Sequence, residues 1–154
     1  MPLLNLHHVA IRAPDLEATR RFYTEVLGLS DDARRPVIPG LPGNWLNIDT
    51  TQIHTFAGKT ALDSNGGRYF GSMSIEHIAF QARDFDTMRR QLDAHGIAWR
   101  ALAQPAANIW QIFFHDPNGI LCELNFDCAG EPPGAEGPDG SNPYIPGQFE
   151  AVRK

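Results

Sequence analysis

Two similar segments, offset by 69 residues, constrain what this chain can fold into. The first, HVAIRA, begins at His8, and the second, HIAFQA, begins at His77. The same offset relates His54 in the first half to Glu123 in the second half. Because duplicated units place equivalent residues at equivalent positions, the repeat predicts two modules that bring four potential metal ligands together.

Each copy is predicted to form a strand, a helix and about three more strands. Asp15 and Asp84 are the predicted N-caps of the two helices, which end before Gly28 and Gly96. Residues 30–44, rich in proline and glycine, are predicted to be mostly loop. The predicted strands lie at residues 6–13, 45–49, 52–57, 74–82, 97–102, 109–115 and 120–126. One such unit cannot bury its own sheet face, whereas two together can.

A length of 154 residues suits a single domain followed by a short C-terminal segment. Ten of the eighteen residues 130–147 are glycine or proline, which excludes regular structure there. That segment is therefore expected to be either a disordered tail or an extended arm. The predicted boundaries are one domain at 1–128, modules at about 4–58 and 72–127, a linker at 59–71 and the tail or arm at 129–154.

Charge and hydropathy exclude several classes of partner. The formal net charge of −5 argues against nucleic acid and anionic membranes. There is no apolar run of about 18 residues and no N-terminal signal peptide pattern, so we expect a cytoplasmic protein. With only Cys122 and Cys128, the chain lacks the ligands of a zinc–thiolate cluster.

Strand alternation assigns the four candidate ligands to inward faces. His8 shares its face with Arg12, and His77 shares the equivalent face with Gln81. Imidazole nitrogen and carboxylate oxygen suit one divalent ion, namely Zn, Fe, Mn, Ni or Co. The candidate metal ligands are His8, His77, Glu123 and His54. His54 is either a fourth ligand or an acid or base beside the metal, and Glu123 is the other candidate base.

The remaining candidates are residues that would line a pocket for a small-molecule substrate. Most are aromatic residues on predicted strands, where packing in the core is the competing explanation. The candidate pocket residues are Arg12, Trp45, Phe56, Gln81, Trp110 and Phe114.

Three motifs resemble the vicinal oxygen chelate superfamily, which includes glyoxalase I, bleomycin-resistance proteins and extradiol dioxygenases. They are HVAI from His8 with the later FYTEVLG, EHIAF around His77, and DPNGILCEL around Glu123. The resemblance covers roughly residues 4–127. It implies an α+β fold in which two tandem βαβββ modules form an open cupped sheet around a divalent metal.

The resemblance also implies roles and partners. His8, His77 and Glu123 match the three common ligands of the superfamily. His54 lies on the strand where some members supply a fourth ligand, often Glu or Gln, so the histidine departs from that pattern. Small members are commonly homodimers, which implies a homodimer here.

The number of protein ligands separates the expected reactions. Four ligands leave two positions on a six-coordinate metal, which suits lyase or isomerase chemistry of the glyoxalase type on a substrate with vicinal oxygens. Three ligands leave room for a catechol and dioxygen, as in an Fe(II) extradiol dioxygenase. A non-catalytic binding protein, like the bleomycin-resistance proteins, is the third alternative. The short chain favours the lyase or isomerase.

Overall fold

The chain folds into two sheets that have the same strand order. The computed structural model describes residues 7–37, 42–58 and 77–145. The chain divides into two compact units, Met1–Arg68 and Tyr69–Lys154. The predicted linker at 59–71 lies outside the described residues.

The first unit follows the predicted strand–helix–three-strand plan. Its elements are β1 (His8–Ala13), α1 (Leu16–Arg21), β2 (Ser30–Asp31), β3 (Gly43–Ile48) and β4 (Thr51–Ala57). The sheet order is β1-β4-β3-β2, with β1 parallel to β4 and the other pairs antiparallel. Asp15 caps α1 by accepting a 2.9 Å hydrogen bond from the Ala18 amide, as predicted.

The second unit repeats this plan. Its elements are β5 (Ile78–Ala82), α2 (Phe85–Ala94), β6 (Trp99–Gln104), β7 (Ile109–His115) and β8 (Leu121–Asp127). The sheet order is β5-β8-β7-β6, again with one parallel pair, β5 with β8. Asp84 caps α2 from a left-handed backbone conformation, φ 62°. The predicted tandem βαβββ fold is therefore confirmed.

The structure differs from the predicted elements at two places in the first unit. The helix continues beyond α1 as a π-helical turn, Phe22–Val26, in which the Leu27 amide donates to the Phe22 carbonyl. The segment predicted as mostly loop contains β2 and the start of β3. Two residues are too few to show any periodicity, so β2 left no pattern in the sequence.

One face of each sheet packs against its helix and forms the core of its unit. In the first unit this core includes Tyr23, Leu46 and Ile53, none more than 2% exposed. In the second unit it includes Phe85 and Phe126, whose rings meet edge to face with centroids 5.3 Å apart. Among the described residues, no helix is both long and apolar enough to cross a lipid bilayer.

The described part of the C-terminal segment is an extended arm bound to the second unit. The Ala101 amide on β6 donates to the Asn142 carbonyl, and the Tyr144 amide donates to the Ala101 carbonyl, each at 2.8 Å. The Tyr144 ring stacks on Phe113 of β7 with centroids 3.6 Å apart. Glu131 accepts hydrogen bonds from the first amides of α2 at 2.7 and 2.9 Å. The arm thus holds the outer strand of the sheet and the start of its helix.

Replacing Tyr144 with alanine is expected to destabilise the protein by about 2 kcal/mol, since the stacked aromatic contact with Phe113 is lost. The midpoint of urea unfolding measures the change. Ile145→Ala is the matched control, because the neighbouring Ile145 side chain is 46% exposed and its truncation costs little. Equal shifts for the two variants would contradict a specific role for the stack.

Candidate metal site

The two candidate ligands on the last strands occupy equivalent positions in their sheets. His54 on β4 pairs with Ala10 on β1, and Glu123 on β8 pairs with Ala79 on β5. Both pairs obey the 69-residue offset found in the sequence. We call the side of each sheet that carries His54 or Glu123 its ligand face. Directly paired residues share a face, so strand pairing identifies the other members of each ligand face.

The first unit brings His8 and His54 together. Their rings stack with centroids 4.0 Å apart and planes 15° apart. Trp45, which pairs with His54 across β3 and β4, stacks on the other side of the His54 ring at 4.8 Å. His54 is therefore held between two flat rings and is only 7% exposed.

The environment of His54 favours its neutral form. Burial lowers its pKa below the usual value, and positive charge on His8, His7 and Arg35 lowers it further. A neutral imidazole has one nitrogen with a free lone pair, as a metal ligand or a base requires. The Nε2 atom of His54 lies 2.9 Å from Gln52 Oε1.

The second unit brings His77 and Glu123 together. His77 Nε2 lies 3.5 Å from Glu123 Oε2, a separation that suits two ligands of one ion. The carboxylate is only 10% exposed, whereas the His77 side chain is 36% exposed. A buried carboxylate requires partners, and those partners come from β7 and from β8 itself.

Two amides that were not among the predicted site residues hold the Glu123 carboxylate. Gln111 Nε2 on β7 donates to Glu123 Oε1 at 2.8 Å, and Asn125 Nδ2 donates to the same oxygen at 2.7 Å. With Oε1 occupied twice, Oε2 is the oxygen directed at His77. Gln111 Oε1 is buried and has no hydrogen-bond partner among the described residues. The signals in the sequence were polar Gln111 among the apolar residues of β7 and the alternation that places Asn125 on the same face as Glu123.

The chemistry of each donor set fits a divalent ion, but each unit supplies only part of the predicted set. The described residues contain no group of three or more His, Cys, Asp or Glu that would hold a metal by itself. The first unit gathers two imidazoles, and the second gathers one imidazole and one carboxylate oriented by amides. Nitrogen and oxygen donors without thiolate do not select sharply among Zn, Fe, Mn, Ni and Co.

Four of the six predicted pocket residues lie on the ligand faces. Trp45 stacks on His54, and the Phe56 ring lies edge-on to His54 at 6.3 Å. Arg12 pairs with Phe56 and donates to the Ala57 carbonyl at 3.2 Å. In the second unit, exposed Gln81 pairs with Asn125, which lies on the same face of β8 as Glu123.

Trp110 and Phe114 lie on the opposite face, contrary to the prediction that they line the pocket. Phe113, not Phe114, pairs with Glu123, so alternation turns both predicted residues toward the helix side. Trp110 packs edge to face on Phe85 at 5.7 Å. Phe114 is fully buried. Phe114 therefore belongs to the core, and Trp110 is a half-buried residue on the helix side of the sheet.

Replacing Gln111 with leucine is expected to weaken metal binding by about 10–100-fold, because the carboxylate loses one of the two amides that orient it. Isothermal titration of metal-free protein with Zn²⁺ measures the change. Gln104→Leu makes the same substitution at an exposed position on β6 and should leave the affinity unchanged. Identical affinities for the wild type and Gln111→Leu would contradict an orienting role.

Comparison with known proteins identifies relatives across most of the chain. A sequence profile described as the Glyoxalase/Bleomycin resistance protein/Dioxygenase superfamily matches residues 5–124. A protein of Arabidopsis thaliana named Glyoxylase I 4 is 29% identical over 132 residues, covering 79% of this chain and 70% of that protein.

Solved structures with different functions share the fold. A lactoylglutathione lyase from Agrobacterium tumefaciens superimposes with a TM-score of 0.61 at 20% identity, covering 84% of this chain and 98% of that one. An antibiotic-binding protein from a Streptomyces species superimposes with a TM-score of 0.62 at 20% identity, covering 82% and 98%. At this identity the likeness shows the fold alone, so function must be argued from the site.

Proposed function

Because this chain belongs to the Glyoxalase/Bleomycin resistance protein/Dioxygenase superfamily, we propose that it is a metal-dependent enzyme of the glyoxalase type. The proposed reaction is that of a lyase or isomerase on a small substrate whose vicinal oxygens chelate the metal. The observation that carries the proposal is the Glu123 carboxylate, buried, fixed by two amides and directed at His77. A carboxylate whose second oxygen is fixed beside an imidazole is suited to bind a metal ion.

In the proposed site, His8, His77 and Glu123 hold the ion. The two modules would form one domain and contribute to a single site, and a homodimer is the proposed assembly. A bound divalent ion supplies Lewis acidity that lowers the pKa of substrate groups beside a carbonyl. Amides on Glu123 keep its ligating oxygen in place without a reorganisation cost.

His54 acts in this proposal as the proton carrier and not as a fourth ligand, which departs from the four-ligand set that the sequence analysis associated with a lyase or isomerase. An imidazole nitrogen binds a metal in the plane of its ring, and the stacked rings of His8 and His54 lie in separate, nearly parallel planes. The stack therefore directs the two lone pairs at different atoms. If His8 binds the metal, the lone pair of His54 is available to a substrate.

The proposed step is an internal proton transfer. His54 accepts the proton of the hydroxyl-bearing carbon beside the carbonyl and delivers a proton to the carbonyl carbon, while the hydroxyl proton passes to the former carbonyl oxygen. The net change is an isomerisation that consumes no external acid or oxidant, and deuterium enters the product when the proton on His54 exchanges with solvent. A lowered pKa keeps His54 unprotonated, and thus able to accept, at neutral pH. Trp45 and Phe56 provide apolar walls for the substrate, and Arg12 at the end of β1 is available to a substrate anion.

The test combines metal analysis with isotope exchange. Elemental analysis of purified protein should find about one divalent ion per complete site, and His77→Ala should lose it. Incubation in D₂O with 2-hydroxycarbonyl compounds, lactoylglutathione among them, should place deuterium on the carbon beside the carbonyl, as detected by NMR. Metal-bound protein that exchanges no substrate in such a panel would contradict the lyase or isomerase reaction.

A second candidate is extradiol ring cleavage, which the same ring stack favours because it leaves only three protein ligands. Oxygen uptake by Fe(II)-loaded protein with catechol would support it and would overturn the first proposal. A protein that binds an aromatic ligand but retains no metal would instead support a binding function, as in the antibiotic-binding neighbour.

A further inference from the structure

A buried carboxylate lies at the end of a hydrogen-bonded chain that leads to His54. Asp32, which follows β2, has a side chain only 5% exposed, while its ion-pair partner Arg34 is 85% exposed. Arg34 donates to Asp32 through its backbone amide and twice through its guanidinium, at 2.7–3.0 Å. These bonds hold the pKa of Asp32 well below its usual range, so the group is an anion at neutral pH.

Asp32 fixes the orientation of the side-chain amides between it and His54. An ionised carboxylate only accepts hydrogen bonds, so any amide atom that faces it must be the NH₂ group. Gln52 Nε2 lies 3.3 Å from Asp32 Oδ2 and 2.7 Å from Asn47 Oδ1. The Asn47 side chain also donates to Asp32. Gln52 Oε1 is consequently the end that faces His54.

The orientation of Gln52 in turn selects the tautomer of His54. Gln52 Oε1 can only accept, and it lies 2.9 Å from His54 Nε2. Nε2 must therefore carry the ring proton, which leaves the lone pair on Nδ1. The His54 ring that makes this contact lies stacked against His8 and Trp45.

We propose that Asp32, acting through Gln52, is a positioning residue that keeps the proton of His54 on Nε2 and presents Nδ1 as the base. This inference deepens the proposed function and rests on it for the role of Nδ1. The assignment of the ring proton, however, is a property of the resting protein. It can be measured whether or not a substrate has been found.

Nitrogen-15 NMR of labelled histidine at a pH of about 8, where histidine is largely neutral, distinguishes the two ring nitrogens. The His54 signals are those absent from His54→Gln. Wild-type protein should show a protonated Nε2, and the ring proton should exchange slowly because it is buried and hydrogen-bonded. A proton on Nδ1 would overturn the proposal, whatever the activity of the protein.

A variant at Gln52 tests the chain itself. Gln52→Leu removes the acceptor of the hydrogen bond from His54 Nε2. Because one hydrogen bond is lost, the ring proton should exchange with solvent at least about 10-fold faster. Gln104→Leu, the same substitution at an exposed position of β6, should leave the His54 signals unchanged. Slow exchange in folded Gln52→Leu would contradict the relay.

Asp32→Asn tests the far end of the chain. The new amide can donate to Gln52, which permits Gln52 to turn over and present its NH₂ group to His54. Part of the His54 signal should then shift to the Nδ1-protonated form. Where a substrate is turned over, kcat should fall by about 10-fold or more with KM nearly unchanged, because binding contacts are untouched. An unaltered tautomer in this variant would overturn the role of Asp32.

Discussion

Glu123→Gln is expected to abolish stoichiometric metal binding. The substitution keeps the size of the side chain and leaves an oxygen for the amides of Gln111 and Asn125, but it removes the negative charge on the oxygen directed at His77. A neutral amide is a much poorer ligand for a first-row divalent ion. We expect an affinity more than ~100-fold lower, since even the loss of an orienting partner costs 10–100-fold.

Elemental analysis after dialysis, with Zn²⁺ titration as a second measurement, checks this expectation. Glu25→Gln makes the same change at an exposed glutamate of the first unit and should bind metal normally. A matching melting temperature in metal-free buffer would show that Glu123→Gln is folded. Retention of a full equivalent of metal by that variant would remove Glu123 from the site.

His54→Gln is expected to have the opposite pattern, with metal retained and turnover lost. If His54 carries the proton, its replacement should lower kcat by about 10²–10⁴-fold, the usual contribution of a general acid or base. Metal content should stay near the wild-type value, because His8, His77 and Glu123 remain. Deuterium exchange into substrate, followed together with elemental analysis, separates the two roles.

The matched control is His95→Gln. This variant makes the same chemical change at a histidine that is exposed at the end of α2. Its turnover and metal content should equal those of the wild type. Loss of metal from His54→Gln would establish His54 as a fourth ligand, and the proton would then have to be carried by Glu123.

The fold could be predicted from the repeat because residues at a constant offset occupy equivalent positions in the two units. His8 begins β1 and His77 directly precedes the equivalent strand β5, and the pairing of Ala10 with His54 matches that of Ala79 with Glu123. Helix caps are equally local, and both aspartates act as predicted. Such features depend on neighbours in sequence or on one constant offset.

Predicting which residues line the pocket requires the strand register, and the 69-residue offset does not determine that register. β3 and β4 are joined by a two-residue turn, whereas β7 and β8 are joined by five residues. The offset therefore makes Phe114 the counterpart of Trp45, but Phe113 is the residue that pairs with Glu123. A shift of one position turns a side chain to the other face of the sheet.

The polar partners of the site were hidden for a similar reason. Gln111 reaches Glu123 from the neighbouring strand. Gln52 contacts His54 within β4, but its link to Asp32 is a contact between residues distant in sequence. Asp32 and Gln52 are 20 residues apart in sequence. The element that positions Asp32 is β2, a strand of only two residues. No periodic pattern records such a contact.

The C-terminal arm has a consequence for how molecules of this protein meet one another. Through Ala101, the arm occupies backbone groups of β6 that would otherwise be available to a strand from another molecule. An outer strand with unpaired backbone N–H and C=O groups is a template for pairing with a strand of another molecule. A chain cut back to residue 128 would expose that template, so we expect shortened versions to self-associate through β6 and to lose solubility.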